Sequence, residues 1–319
     1  MKKDVVLVIG ANGQLGSVLT EALKDKYGPG NVIASDIRKE NTVSGHFEIV
    51  DATDIKAIQV VIEKYSVTQI YHLAAILSAK GEEKPLFTWD LNMRSWLNVL
   101  EASRVTEIEK VFFPSSIAVF GESTNKEHAS QNSYLDPTTV YGISKVAGEN
   151  WAKYYFSKYN LDVRSLRFPG IIGYQSMPGG GTTDYAVDIY HKAVQSQKFE
   201  CFLAPDTTLP MIFIDDAIRA VIELMGTPKD NIKVRTSYNI SGASFSPSEI
   251  AVSIQKEYTA FEVNYQPDFR QKIADSWPKK IDDSAAAKDW NWQPRYNLND
   301  ITHTMISKLK EKYKVKSLI

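Results

Sequence analysis

The sequence predicts an open, doubly wound parallel α/β sheet with a smaller carboxy-terminal lobe, and three observations predict it. Six short runs rich in β-branched and aromatic residues recur at 5–9, 31–35, 47–50, 69–74, 110–115 and 163–168. Stretches with apolar residues three and four apart lie between them, among them LGSVLTEALKDKY, IKAIQVVIEKY and TWDLNMRSWLNVLEASR. A glycine-spaced turn joins the first run to the first of these stretches. Strands that alternate with helices pair in parallel through right-handed crossovers.

Each element follows from its own residues. The runs VVLVI, NVIAS, FEIV, QIYHLA, KVFFPS and VRSLRF read as buried strands, and the separating stretches show helical spacing. Beyond Gly170 the pattern loosens into a glycine run, PGGGTTDYA, followed by shorter elements. One helix start is explicit there: Ser246 can cap, Pro247 suits the first helical position and Glu249 can close a capping box. No internal repeat or low-complexity tract interrupts the chain. The expected division is a dinucleotide-binding domain over 1–170 and a substrate-binding lobe over 171–319, with the chain crossing between them around 210–240.

Composition narrows the functional classes. The 319 residues are 43% hydrophobic and 24% charged, enough for one large core or two smaller ones. With 37 basic and 38 acidic side chains the formal charge is -1, so no global field draws the protein to nucleic acid or a membrane, and a small-molecule partner is expected. Cys201 is the single cysteine, which precludes an internal disulfide and fits a reducing cytoplasm. No Cys/His cluster has metal-ligand spacing, so no metal is expected. Glycine and asparagine cut the apolar run of MKKDVVLVIGANG short of a signal-peptide core, and no segment has the length of a membrane span.

Gly10, Gly13 and Gly16 stand between the first strand and the first helix. Glycines at such a turn let backbone amides approach a pyrophosphate, which then rests on the helix N-terminus. Asp36 ends the second strand twenty residues after Gly16. A carboxylate there can accept hydrogen bonds from ribose hydroxyls and repels a 2′-phosphate, which favours NAD over NADP. Arg38 leaves a second possibility, because a guanidinium can pair with that phosphate or stack on adenine.

Ligands of such sheets lie beyond the carboxyl ends of the strands. The fourth strand runs into HLAAILS, where Ala74 and Ala75 leave room for a cofactor, and the fifth ends at Ser115 and Ser116. Tyr141 and Lys145 follow, four residues apart and so on one helix face. A fixed positive charge beside a phenol favours its ionised form and lowers its pKa, so Tyr141 can serve as a proton acceptor. Tyr and Lys at this spacing also occur on ordinary surface helices, and serines at a strand end also satisfy their own turn.

Taken together, G-x-x-G-x-x-G, Asp36, HLAA, PSS…VFG and YGISK resemble the extended short-chain dehydrogenase/reductase family over nearly the whole chain. The PSS turn, YGISKVAGE and LRFPGIIGY…PGGGTTDYA are most similar to its L-threonine 3-dehydrogenase branch. This resemblance implies a Rossmann-type fold and assigns Tyr141 as base. Lys145 becomes its electrostatic partner and a hydrogen-bonder to the nicotinamide ribose, and Ser116, rather than Ser115, the holder of the reacting oxygen. It places cofactor contacts at Gly10, Asn12, Gly13, Gln14, Leu15, Gly16, Asp36, Ile37, Arg38, Asp51, Ala52, Leu73, Ala74, Ala75, Asn92, Tyr141, Lys145 and Pro169. Asn92 matches a family asparagine that supports the site, and is equally readable as a polar residue in a helix's first turns. The family commonly dimerises through the helix after Asp90 and the Tyr141 helix, so a homodimer is expected, with Trp96 as an exposed apolar contact.

Within that family the rival reading is a nucleotide-sugar epimerase, whose substrate brings a pyrophosphate that needs arginines or helix N-termini. Pro169 stands where those enzymes carry asparagine, and Leu209, Pro210 and Met211 stand where they carry arginine. Their late R-P-G-D region is replaced by ADSWPKKIDDS, where Lys279 and Lys280 remain, so a phosphate is disfavoured rather than excluded. For a small amino acid, Ser78, Thr182, Thr183 and Asp184 offer hydroxyls, amides and a charge, and Trp277 can close over the site. The same GGGTTD loop can instead cap the following helix, and Trp277 can be ordinary packing. The expected reaction is NAD-dependent oxidation of the L-threonine β-hydroxyl to 2-amino-3-oxobutanoate; a non-catalytic dinucleotide sensor is disfavoured by Ser116, Tyr141 and Lys145 standing together.

Overall fold

The computed structural model describes residues 4–38 and 45–316, with side chains through 313. The first half contains β1 (Val6–Ile9), α1 (Gln14–Tyr27), β2 (Val32–Asp36), β3 (His46–Ile49), α2 (Ile55–Tyr65), β4 (Gln69–His72), α3 (Ser78–Gly81), α4 (Pro85–Val105), β5 (Lys110–Ser116), α5 (Val140–Tyr159) and β6 (Asp162–Phe168). The second half adds β7 (Gly170–Ile172), α6 (Tyr185–Val194), β8 (Phe199–Cys201), β9 (Leu209–Phe213), α7 (Ile214–Gly226), β10 (Tyr238–Asn239), β11 (Ala243–Phe245), α8 (Pro247–Gln255), β12 (Val263–Tyr265), α9 (Arg270–Asp275), α10 (Ser284–Trp290) and α11 (Leu298–Lys316).

Seven parallel strands form the main sheet in the order β10-β6-β5-β4-β1-β2-β3. The strand order reverses between β1 and β4, which opens a crevice at the carboxyl ends of those strands. The uninterrupted apolar run of β1 has a direct cause, because helices cover both faces of the sheet. Val6 and Val8 enter a core that continues into the second lobe, while Leu7 and Ile9 enter the core built with α2 and α4.

A three-stranded sheet, β11-β9-β7, and a two-stranded one, β12-β8, make up the smaller lobe. Between their strands the chain returns to the first layer: α7 packs on α1 and β6, and β10 becomes the outermost strand of the main sheet. The capping box at α8 is complete, with Ser246 and Glu249 satisfying each other's backbone amides.

Trp96 does not lie on the surface. It is 1% exposed, stacked on Phe113 with ring centroids 4.3 Å apart, with His72 on the other neighbouring ring at 5.8 Å. Its indole N–H donates to the Gly148 carbonyl at 3.1 Å. The helical period of α4 turns this residue toward α5 and β5, where its large apolar area is removed from water. The exposed apolar side chains of this region are instead Leu86, Phe87, Trp89 and Val105 on α4 and Ile143, Trp151, Tyr154 and Tyr159 on α5. Among the described residues, no helix is long and apolar enough to cross a membrane.

Candidate active site

Gly10 leaves β1 with φ of 90°, a left-handed conformation that a side chain rarely adopts, and a Cβ there would meet the Ala74 backbone nitrogen at 2.7 Å. The turn is held by the Gly10 and Ala11 amides, both donating to the Ser35 carbonyl. Gly13 then caps α1 without any side-chain hydrogen bond, so the first-turn amides of this helix are left for an anion. Packing is tightest at Gly16, whose Cβ would lie 2.1 Å from the Gly10 carbonyl oxygen.

Two cavities meet at this turn. One, of about 280 Å³, is lined by Asp36, Ile37, Arg38, Asp51, Ala52 and Ala74, with Gly10, Gly13, Leu73 and Ala75 shared with the other. The other, of about 240 Å³, takes in Gln14, Leu15, Gly16, Ser116, Tyr141, Lys145 and Pro169 on one side and Ser78, Thr182, Thr183, Asp184 and Trp277 on the other. The elongated, largely apolar cleft with an amide-lined turn at its middle fits a dinucleotide. Asn12 and Asn92 line neither cavity. Asn12 gives its backbone amide to Asp36, and Asn92 clips the loop after β4 by accepting from the Ile76 amide and donating to its carbonyl. Val50, Thr53, Leu91 and Ser95 join the first cavity without any signal in their residue types.

Asp36 is nearly buried, and its carboxylate accepts from the Asn12 amide at 3.1 Å and from Arg38 Nε at 3.2 Å. The Arg38 guanidinium is therefore engaged by the acid that ends β2. Replacing Asp36 with alanine removes the anion that repels a 2′-phosphate and frees Arg38, so the ratio of NAD to NADP turnover is expected to fall by about tenfold or more. Steady-state rates with each dinucleotide measure this; an unchanged ratio would overturn the reading of Asp36.

α5 brings Tyr141 and Lys145 to the tip of β5. Gly142 makes this approach possible, since a Cβ there would sit 2.1 Å from the Ala118 carbonyl oxygen. Thr139 caps the helix through its hydroxyl, which accepts from the Gly142 amide at 3.1 Å. The Tyr141 phenol faces the Ser116 side, whose hydroxyl lowers its pKa, whereas Ser115 points to the other face and donates to Glu149 at 2.6 Å. The geometry thus separates the two serines by the alternation of the strand. Lys145 donates to the Pro114 carbonyl at 2.6 Å and lies 5.3 Å from the centre of the Tyr141 ring.

The electrostatics differ from the expectation of an acidic phenol. Burial pushes Tyr141 up to about 12, against a smaller downward pull from Ser116. Burial likewise brings Lys145 down to about 7, with Glu149 opposing that shift. Desolvation penalises the charged form of each group and is the larger cause of both shifts.

On the opposite wall, Ser78 and Thr182 are buried and share a hydrogen bond of 3.2 Å. The Asp184 carboxylate does not cap α6; it accepts from the Gly180 and Gly181 amides at 2.7 and 2.8 Å and so folds the glycine loop back on itself. Trp277 is buried at the cavity wall, and its neighbour Ser276 is held by Thr138 and by Lys126. Lys279 and Lys280 are exposed and line neither cavity, Lys279 pairing with Glu127.

A strand-turn-helix cradle for a dinucleotide, opening onto a serine, a tyrosine and a lysine, defines a nicotinamide-dependent enzyme of the extended short-chain dehydrogenase/reductase type. The chain belongs to the NAD dependent epimerase/dehydratase family, whose model matches residues 6–241. It is similar to a GalE-like L-threonine dehydrogenase from Cupriavidus necator in its holo form, 49% identical with a TM-score of 0.94, over 96% of this chain and 100% of that one. A monomeric L-threonine 3-dehydrogenase from a metagenome is 44% identical with a TM-score of 0.94, over 97% and 99% of the two chains. An uncharacterized epimerase/dehydratase of Staphylococcus haemolyticus is 44% identical over 96% of this chain and 98% of its own length.

Proposed function

We propose that the protein is an NAD-dependent L-threonine 3-dehydrogenase in which Tyr141 is the base. The observation that carries this reading is the charge of the catalytic cavity: among the described residues Lys145 is the one cationic side chain lining it, and no arginine does. A nucleotide sugar would bury a pyrophosphate against that wall with nothing to compensate it. A zwitterionic amino acid needs only amides, hydroxyls and one carboxylate, which Thr182, Thr183, Ser78 and Asp184 supply. The L-threonine dehydrogenase structures at 44–49% identity support the same substrate.

NAD held by the Gly10–Gly16 turn, Asp36 and Lys145 supplies, when bound, the acceptor for the hydride leaving the substrate's β-carbon. Deprotonated Tyr141 takes the proton of the β-hydroxyl. Ser116 donates a hydrogen bond that fixes the oxygen in reactant and ketone product alike. Lys145 places positive charge beside the phenolate, and the apolar walls formed by Leu77, Phe168, Ile171 and Trp277 exclude water.

Adding L-threonine and NAD to the protein and following NADH absorbance tests the reading, and turnover of a nucleotide sugar in place of threonine would overturn it. Thr183→Val keeps the side-chain shape and deletes the hydroxyl. It is expected to raise KM for threonine about two- to tenfold, the equivalent of roughly 0.5–1.5 kcal/mol for one hydrogen bond, while the Kd for NAD holds. A homodimer through the exposed apolar residues of α4 and α5 belongs to the same proposal, and the molar mass from light scattering decides it.

A further inference from the structure

Behind the catalytic face of α5 lies a buried ion pair that the chemistry above does not use. Glu149 and Arg167 are each almost fully buried and joined by two hydrogen bonds, 2.9 Å from Nε and 2.7 Å from a terminal guanidinium nitrogen. Burying two charges is costly unless their remaining hydrogen-bonding groups are satisfied. Here they are: Glu149 also accepts from Ser115, while the other guanidinium nitrogen of Arg167 donates to the Gln131 carbonyl at 3.0 Å and to Asn239 at 3.1 Å.

The position of this pair is informative. Glu149 lies one helical turn beyond Lys145, which itself lies one turn beyond Tyr141. Its partner Ser115 sits between Pro114, whose carbonyl holds Lys145, and Ser116, which meets Tyr141. Ser115 and Arg167 are register partners on adjacent strands, so the carboxylate spans β5 and β6 at once.

We propose that Glu149 is a positioning residue. Clamped by Arg167, its carboxylate pins α5 to the tip of β5 through Ser115, and so sets Tyr141 and Lys145 against Ser116 while facing Lys145 with negative charge. The groups facing Lys145 are Tyr141 and Glu149 on its own helix, His72 from the end of β4 and the Pro114 carbonyl from β5. His72 is held neutral by burial, at about 3, which leaves Glu149 as the anionic neighbour. The catalytic part of this inference rests on the roles given above to Ser116, Tyr141 and Lys145.

Glu149→Gln alone strands the Arg167 cation and can fail to fold, so the informative variant is E149Q/R167M, which removes both charges together. In the free protein, the 13Cε resonance of Lys145, assigned by its loss in Lys145→Met, is expected to titrate about one pH unit lower in the double variant than in the wild type. An unmoved midpoint overturns the proposal whatever the substrate is. Ser115→Ala removes the pin and leaves the ion pair; it is expected to lower kcat about 10- to 100-fold at near-constant KM and NAD affinity, and Ser115→Thr to restore most of it. Wild-type kcat in Ser115→Ala also overturns the proposal. If the wild type oxidises no threonine while the Lys145 midpoint still moves, the charge and contact assigned to Glu149 stand and the substrate reading fails.

Discussion

Phenylalanine at position 141 is expected to lower threonine turnover about 10²–10⁴-fold, the range typical for losing a positioned proton acceptor, with NAD affinity nearly unchanged. The substitution leaves the ring, its packing and the Lys145 ammonium 5.3 Å from the ring centre in place, and removes only the phenol oxygen. Ser116 keeps its contact with the Ala118 amide, so the oxygen holder stays where it is. The pH dependence gives a second signature. Because burial raises Tyr141 to about 12, its base form is scarce at neutral pH in the free protein. Wild-type kcat/KM is therefore expected to climb with pH above neutrality, and the residual activity of the variant to be flat over the same range. Wild-type-like turnover in Tyr141→Phe would sink the base assignment.

Lys145→Met is expected to move activity and stability in opposite directions. The phenol loses its cationic neighbour, so the onset of activity shifts to higher pH, and NAD binding weakens with loss of the ammonium. Stability follows from linkage: Lys145 titrates at about 7 in the folded protein against 10.5 for an ordinary lysine. Below pH 7 both the folded and unfolded chains hold the proton, and the folded protein bears the full cost of a buried charge. From 7 to 10.5 the unfolded chain binds more protons than the folded one, so wild-type stability rises with pH. Methionine has no such term. At about 1.4 kcal/mol per pKa unit, the variant gains on the order of several kcal/mol at low pH, less about 1–3 kcal/mol for the Pro114 carbonyl left without its donor. Denaturant unfolding at pH 6 and pH 9 measures the difference, and an advantage that does not shrink at pH 9 would show that the charge is not the cause.

The sheet was legible because each of its first six strands is long enough to show an apolar run bounded by turn residues, although β3, expected to be buried, is the edge strand and its residues are half-buried or exposed because no strand covers its outer side. The predicted runs at 31–35 and 163–168 lie within one residue of β2 and β6. β10 was not, since a two-residue strand carries no period and is defined by its neighbour β6 alone. The cavity-lining residues that come from motifs, such as Gly10, Ser116 and Tyr141, were readable because a turn or a helix repeat fixes their direction. Trp96 was not, because the α4 sequence has apolar residues on several sides and only packing decides which is covered. The Glu149–Arg167 pair was hidden for another reason: its members come from a helix and a strand, and each type is ordinarily a surface residue. The pKa values of Tyr141 and Lys145 depended on the depth of burial, which spacing along a helix does not report.

The return of α7 and β10 to the main sheet has a consequence for how this protein can change by recombination. A chimera made with one junction after β6 would set a relative's α7 and β10 against this protein's α1 and β6, mismatching the side chains that pack there. Exchange of the whole substrate lobe between relatives therefore takes three junctions, one after β6 and one on each side of the 214–239 segment, so that this stretch is inherited with the cofactor half. Genes that trade only their 3′ ends at a single point are expected to yield less soluble products than three-junction exchanges that keep 214–239 with the cofactor half.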